Sequence, residues 1–170
     1  MKKIISILSI FFLSTIGVFA STWTDPSWKE MIDSSDLVAL IEYSSNGDSR
    51  AMANIVEIYK GEAKSSSIWI SGFSGRFGPI DSVKKGEKFI VFLNYYEPTE
   101  RAISYWSDEA KNDKKYEPYL KGLKEGKCYY VWTPTSGDLR VKNDEVQYDL
   151  VQTSFYGNQK YYPLKEFTVF

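Results

Sequence analysis

The chain holds no histidine among its 170 residues, and that sets the chemistry open to it. Without imidazole there is no Ser–His or Cys–His nucleophile pair, the commonest general base is missing, and most zinc sites lose a ligand type. Cys128 is the only cysteine, which leaves no intrachain disulfide and no thiolate metal cluster. It stands in the aromatic run Cys128-Tyr129-Tyr130-Val131-Trp132, where a free cysteine behaves as a small buried hydrophobe. Carboxylates alone can act as acid and base. Asp108-Glu109 and Asp144-Glu145 are the adjacent pairs, both in stretches read as turns where solvated acids belong. Ser82 and Lys85 have S-x-x-K spacing, but the S-D-N and K-T-G companions are absent. Gly72, Gly75 and Gly78 recur every three residues, without the spacing or following helix of a phosphate cradle. No catalytic set, cofactor or metal is expected, and the chain reads as non-enzymatic.

What remains for recognition is aromatic. Tyr95-Tyr96, Tyr105-Trp106 and Tyr129-Tyr130 are adjacent pairs read as lying in strands or at their ends. Side chains alternate across a strand, so one member of each pair points away from the core. Outward Tyr and Trp could stack a sugar, a peptide or a protein partner. The structural alternative is that the C-terminal segment or the stretch 107–126 covers them.

These pairs must be positioned by three apolar runs in fixed order, at residues 36–43, 54–62 and 84–96. In the first, Leu37, Ala39, Ile41 and Tyr43 alternate with Val38 and Leu40, so both faces are apolar and covered. Asn46-Gly47 marks a turn, after which residues 51–60 return as a partner strand. Ile68-Trp69-Ile70 is a short third strand, Phe89 to Leu93 a central one, and Cys128 to Trp132 another. Residues 107–126 are the most charged stretch: its first half reads as an exposed loop, with a short helix from Pro118 that Gly122 argues against. Leu139 and Val141, then Val146, Tyr148 and Leu150, alternate across Asn143-Asp144 as a hairpin. Ahead of all this, Trp28, Met31 and Ile32 give one short helix over 26–34, with Asp25 as N-cap and Pro26 at its first position. The tail 155–170 is aromatic and is expected to dock. The expected fold is all-β: an OB-like five-stranded barrel with a short N-terminal helix and a β-rich C-terminal extension.

Residues 1–20 read as a signal peptide, with Lys2 and Lys3 before an apolar run and small residues at Val18 and Ala20. Cleavage would leave 21–170 as a single domain with a C-terminal hairpin extension, exported to the periplasm or beyond, with no membrane span. Without Lys2 and Lys3 the 21 basic residues become 19 against 22 acidic ones. A surface of that charge has no general attraction for phosphate backbones, so nucleic acid is not an expected partner.

The order of features resembles the netrin-like, or tissue-inhibitor-of-metalloproteinase-like, OB-fold domains, including exported bacterial members. Ser35-Asp36-Leu37-Val38 is similar to their "sDlVv" start of the first strand. Ile55-Val56-Glu57-Ile58-Tyr59-Lys60-Gly61 resembles their "V-x-E-V-[LY]-K-G" strand end, and residues 85–93 resemble their "vGekYLvFl" strand. The likeness covers roughly residues 27–96. It implies an OB-type barrel and a binding role. It does not carry over metalloprotease inhibition, because the eukaryotic inhibitors chelate zinc through an N-terminal cysteine, and this chain has neither that residue nor their disulfides. The expected function is a binding module that docks a protein or oligosaccharide through an aromatic face. An inhibitor or immunity-type protein blocking a secreted enzyme is the alternative, and a carboxylate-dependent hydrolase the third.

Overall fold

The computed structural model describes residues 28–47, 50–73, 83–132, 138–148 and 160–163. The signal-peptide reading, the Asp25 cap, Ser82 and most of the 72–81 glycine stretch lie outside the described residues, as does the tail beyond 163. Within them the chain opens with helix α1 (Trp28–Asp33), followed by strands β1 (Leu37–Gly47), β2 (Arg50–Lys60), β3 (Ser67–Ser71) and β4 (Lys88–Tyr95). Helices α2 (Glu100–Asn112) and α3 (Glu117–Lys124) come next, joined through a 3₁₀ turn at Lys114–Tyr116. Strands β5 (Cys128–Val131), β6 (Asp138–Lys142), β7 (Glu145–Tyr148) and β8 (Lys160–Pro163) complete the described chain.

Five of these strands close a barrel in the order β1-β2-β3-β5-β4, with β4 pairing back onto β1. All neighbours are antiparallel except β3 and β5, which run parallel. This is the OB-like barrel expected from the sequence. Strand β4 is its pivot. Residues Leu37 to Glu42 of β1 pair along one edge of β4. The other edge is shared: Leu93 to Tyr95 pair with β5, and Lys88 to Val91 pair with β6. The β6–β7 hairpin and β8 thus continue the barrel sheet outward. Asn143 and Asp144 both have positive φ (55° and 60°), which the tight two-residue hairpin turn requires and which Asn and Asp tolerate.

Strand alternation sorts the apolar residues into separate clusters. Leu37, Ala39, Ile41 and Tyr43 of β1 meet Phe89, Val91 and Leu93 of β4 and Tyr129 and Val131 of β5 inside the barrel. Val38, Leu40, Ile90 and Phe92 point the other way and are covered by Met31 of α1, Leu139 of β6 and Val146 of β7. The doubly apolar β1 is explained by that outer cover.

The start of β1 is locked from three sides. The Asp36 N–H donates to the Leu93 carbonyl (2.9 Å), and Asp36 Oδ2 accepts from the Tyr95 N–H (2.8 Å). The Lys60 ammonium donates to the carbonyls of Ile32 (2.5 Å), Asp33 (3.1 Å) and Ser35 (2.7 Å), satisfying the end of α1 where a cation is favoured. Gly61 has φ +81°, and a Cβ there would lie 2.0 Å from the Asp36 carbonyl oxygen. Gly61→Ala is therefore expected to lower the unfolding free energy by roughly 2–4 kcal/mol. Gly72→Ala meets open space and should cost only the backbone strain, about 1 kcal/mol. Urea denaturation separates the two; equal losses would show that the Asp36 contact does not constrain the chain.

Candidate binding pocket

Two corrections to the sequence reading bear on the site. Tyr105-Trp106 and Asp108-Glu109 stand on helix α2, not in a strand and a turn. Thr99 caps that helix, its Oγ1 accepting from the Ala102 N–H, and Ala102, Trp106 and Ala110 form its buried stripe. Helix α3 forms despite Gly122 because that glycine is a contact point: a Cβ would sit 2.4 Å from Cδ1 of Trp69 on β3. It ends at Gly126 (φ +70°), with the Gly126 N–H donating to Leu123 O and the Lys127 N–H to Gly122 O, a Schellman pair. The α2–α3 hairpin packs on the barrel through Ala102, Trp106, Tyr119 and Leu123, against Cys128 of β5.

The members of each aromatic pair part company, Tyr95-Tyr96 and Tyr129-Tyr130 by alternation along or at the end of a strand and Tyr105-Trp106 by the turn of helix α2. Tyr129 faces the barrel interior and Tyr130 faces out, 41 % exposed. Tyr95 packs against the interior and meets Tyr129 edge-on, ring centroids 5.6 Å apart, while Tyr96 packs under the helical hairpin. On α2, Tyr105 is 57 % exposed and Trp106 only 8 %, their rings edge to face at 5.0 Å. Of the six sequence candidates, Tyr96, Trp106 and Tyr130 line one cavity, joined by Arg50, Ser71 and Tyr119. Tyr95 and Tyr129 line a different cleft with Asp36, Glu62, Ala63 and Lys64. There Lys64 Nζ reaches Tyr95 Oη at 3.3 Å and lies over its ring. Tyr105 lines neither cavity.

The first cavity, of about 420 Å³, is built by register. Arg50 pairs with Ser71 across β2 and β3, and Ser71 with Tyr130 across β3 and β5, so the three stand in one outward row on successive strands. The Tyr96 N–H donates to Cys128 O (2.9 Å), which brings that residue beside β5. The hairpin forms the far wall. The Arg50 guanidinium carbon lies 4.0 Å from the Trp106 ring centroid, 4.9 Å from Tyr119 and 5.3 Å from Tyr116. Tyr119 Oη and Ser71 Oγ share a hydrogen bond at 3.1 Å. Among the described residues the guanidinium has no ion-pair partner, and buried Trp106 Nε1 has no hydrogen-bond partner. Arg50, Ser71 and Tyr119 are absent from the sequence candidates because only β-pairing and the helical hairpin bring them together.

Burial sets the acidity of the groups under this wall. Desolvation pushes the Cys128 thiol from its ordinary 9.0 up to about 12, only partly opposed by a contact with Tyr119 and the positive charge of Arg50. Tyr119 is likewise raised, chiefly by desolvation. At neutral pH both are therefore protonated: Tyr119 is a hydrogen-bonding group and Cys128 a packed thiol, not nucleophiles. Among the described residues no three or more Cys, Asp or Glu gather as metal ligands, and no helix is long and apolar enough to cross a membrane.

The sign of the resulting pH dependence follows from the raised thiol pKa. Below about pH 9 folded and unfolded chains both keep the proton, and the contribution of the buried thiol is whole. Between about 9 and 12 the unfolded chain gives up a proton that the folded chain holds. Stability then falls by up to about 1.4 kcal/mol per pH unit for this group. Unfolding free energies measured from pH 8 upward should show that decline, with a shallower slope in Cys128→Ala; an unchanged slope would contradict a buried, protonated thiol.

Compared with known proteins, the chain matches no family model, no curated protein sequence and no solved structure.

Proposed function

We propose that this protein is a non-enzymatic, exported binding module of the netrin-like OB type, docking its partner in the pocket around Arg50. The observation that carries the reading is the Arg50 guanidinium, placed in an open cavity of about 420 Å³ with aromatic walls and no described counter-charge. A cavity lined by rings, a few hydroxyls and one charged group is the usual composition of a ligand site. Its position also fits the architecture. By fold-level analogy, OB barrels bind on the face of strands 2 and 3 and through the loops joining strands 1–2 and 4–5. Arg50 is the first residue of β2, and the α2–α3 hairpin is the β4–β5 connection. The acidic balance of the chain points the pocket toward a protein or oligosaccharide and away from nucleic acid.

Capture by the purified protein from an envelope or culture extract, followed by mass spectrometry and glycan analysis, tests this. Tyr130 is exposed, whereas Tyr96 packs at the edge of the hairpin cluster, so the double Ala variant is first shown to be folded by circular dichroism and melting temperature. The double variant is expected to lose roughly tenfold or more of the captured partner, as for aromatic anchors at a binding hot spot. Undiminished capture by a folded double variant would remove this pocket as the docking site.

A further inference from the structure

We infer that the Arg50 pocket takes the carboxylate of an acidic sugar unit, an inference that rests on its role as the docking site. The rings of Trp106, Tyr119 and Tyr116 cover the guanidinium and constrain how it can be used. With rings gathered against it from the helical wall, the arginine recognises through its N–H edge, a planar fork that matches a planar oxyanion in two parallel hydrogen bonds. Among the described residues none of the groups lining the cavity is acidic: Ser71, Tyr96, Trp106, Tyr119 and Tyr130 surround the cation. Its charge is therefore left for a ligand to meet.

A sugar is favoured over a peptide by what the wall offers. The backbone of β3 beside the pocket is spent on β5, through the pairs Trp69–Cys128, Ile70–Tyr129 and Ser71–Tyr130. The far edge of β5 is spent on β4, through Leu93–Val131, Asn94–Tyr130 and Tyr95–Tyr129. Among the described residues no free strand edge is available there to pair with a peptide main chain. The groups on offer are the Tyr130 hydroxyl, the remaining hydrogen-bonding capacity of the paired Ser71 and Tyr119 hydroxyls, and the exposed ring of Tyr130, which suit the hydroxyls and the apolar face of a pyranose.

Isothermal titration of the purified protein with tetragalacturonate, maltotetraose and tetraglutamate tests the inference. Tetragalacturonate should bind, the neutral sugar and the acidic peptide should bind at least tenfold more weakly, and added NaCl should weaken the complex. Arg50→Lys keeps the charge but loses the fork, and is expected to cost roughly tenfold in affinity. Tyr130→Ala, on an exposed side chain, should do the same with an unchanged melting temperature. Equal affinity for tetraglutamate would overturn the sugar, and equal affinity for maltotetraose would overturn the carboxylate. Absence of all binding would overturn the inference outright. If partner capture still depends on Tyr96 and Tyr130 in that case, the docking site stands and only its ligand class has failed.

Discussion

The structure depends on the closure of the barrel at the residue just ahead of its first strand. Asp36 carries that closure: its N–H and carboxylate bind β4 at Leu93 and Tyr95, and its carbonyl lies against Gly61 at the end of β2. Lys60 ties the same corner to the Ile32 and Asp33 carbonyls at the end of α1. A one-residue slip of β1 on β4 would turn Leu37, Ala39 and Ile41 out of the barrel and Val38 and Leu40 into it, and both clusters would fail together. Each of the three stretches behind the netrin-like resemblance bears on this junction. Residues 35–38 start β1, Lys60-Gly61 closes the corner, and residues 88–93 supply the pairing edge. Their roles are structural, and the proposed binding role rests on other residues.

Register passes from that corner to the outer face. Once β2 and β3 are in place, Arg50, Ser71 and Tyr130 fall side by side, facing the helical hairpin inserted between β4 and β5. Several small contacts seat the hairpin: Gly122 against Trp69, Tyr119 against Ser71, and the aromatic cluster on Arg50. A cation–π contact is worth about 0.5–2 kcal/mol, comparable to a single hydrogen bond. Arg50 therefore contributes to holding the hairpin while its hydrogen-bonding edge has no partner among the described residues. A purely structural role would be filled as well by an apolar side chain, without the cost of bringing a charge partly out of water.

Much of the fold was legible because strands announce themselves by alternation. Leu37 to Tyr43, Phe89 to Leu93 and the Leu139–Tyr148 hairpin were placed by period alone, and Asn143-Asp144 by turn chemistry. Helix α2 is hidden in the sequence because Tyr105-Trp106 has strand-like composition; the signal that marks it is Thr99 as cap with Ala102, Trp106 and Ala110 every four residues. Gly122 misled in the other direction, since a residue read as a helix breaker is kept for close approach to Trp69. The pocket was half legible. Alternation foretold that Tyr129 and Tyr130 would part, but Arg50 carries no local sign of its role. Its partners come from β3, β5 and the helical hairpin, and only tertiary packing unites them.

The central claim is that Arg50 sits in an aromatic cage on the outer face of the barrel. The measurement that tests it most directly is the side-chain NMR spectrum of Arg50, assigned by its loss in Arg50→Lys. Protons held over the Trp106 and Tyr119 rings are shielded by ring currents, so the account predicts upfield-shifted Arg50 side-chain resonances with nuclear Overhauser contacts to both rings. Ordinary shifts and no contact to either ring would mean that the cage does not form, and the pocket would lose its centre.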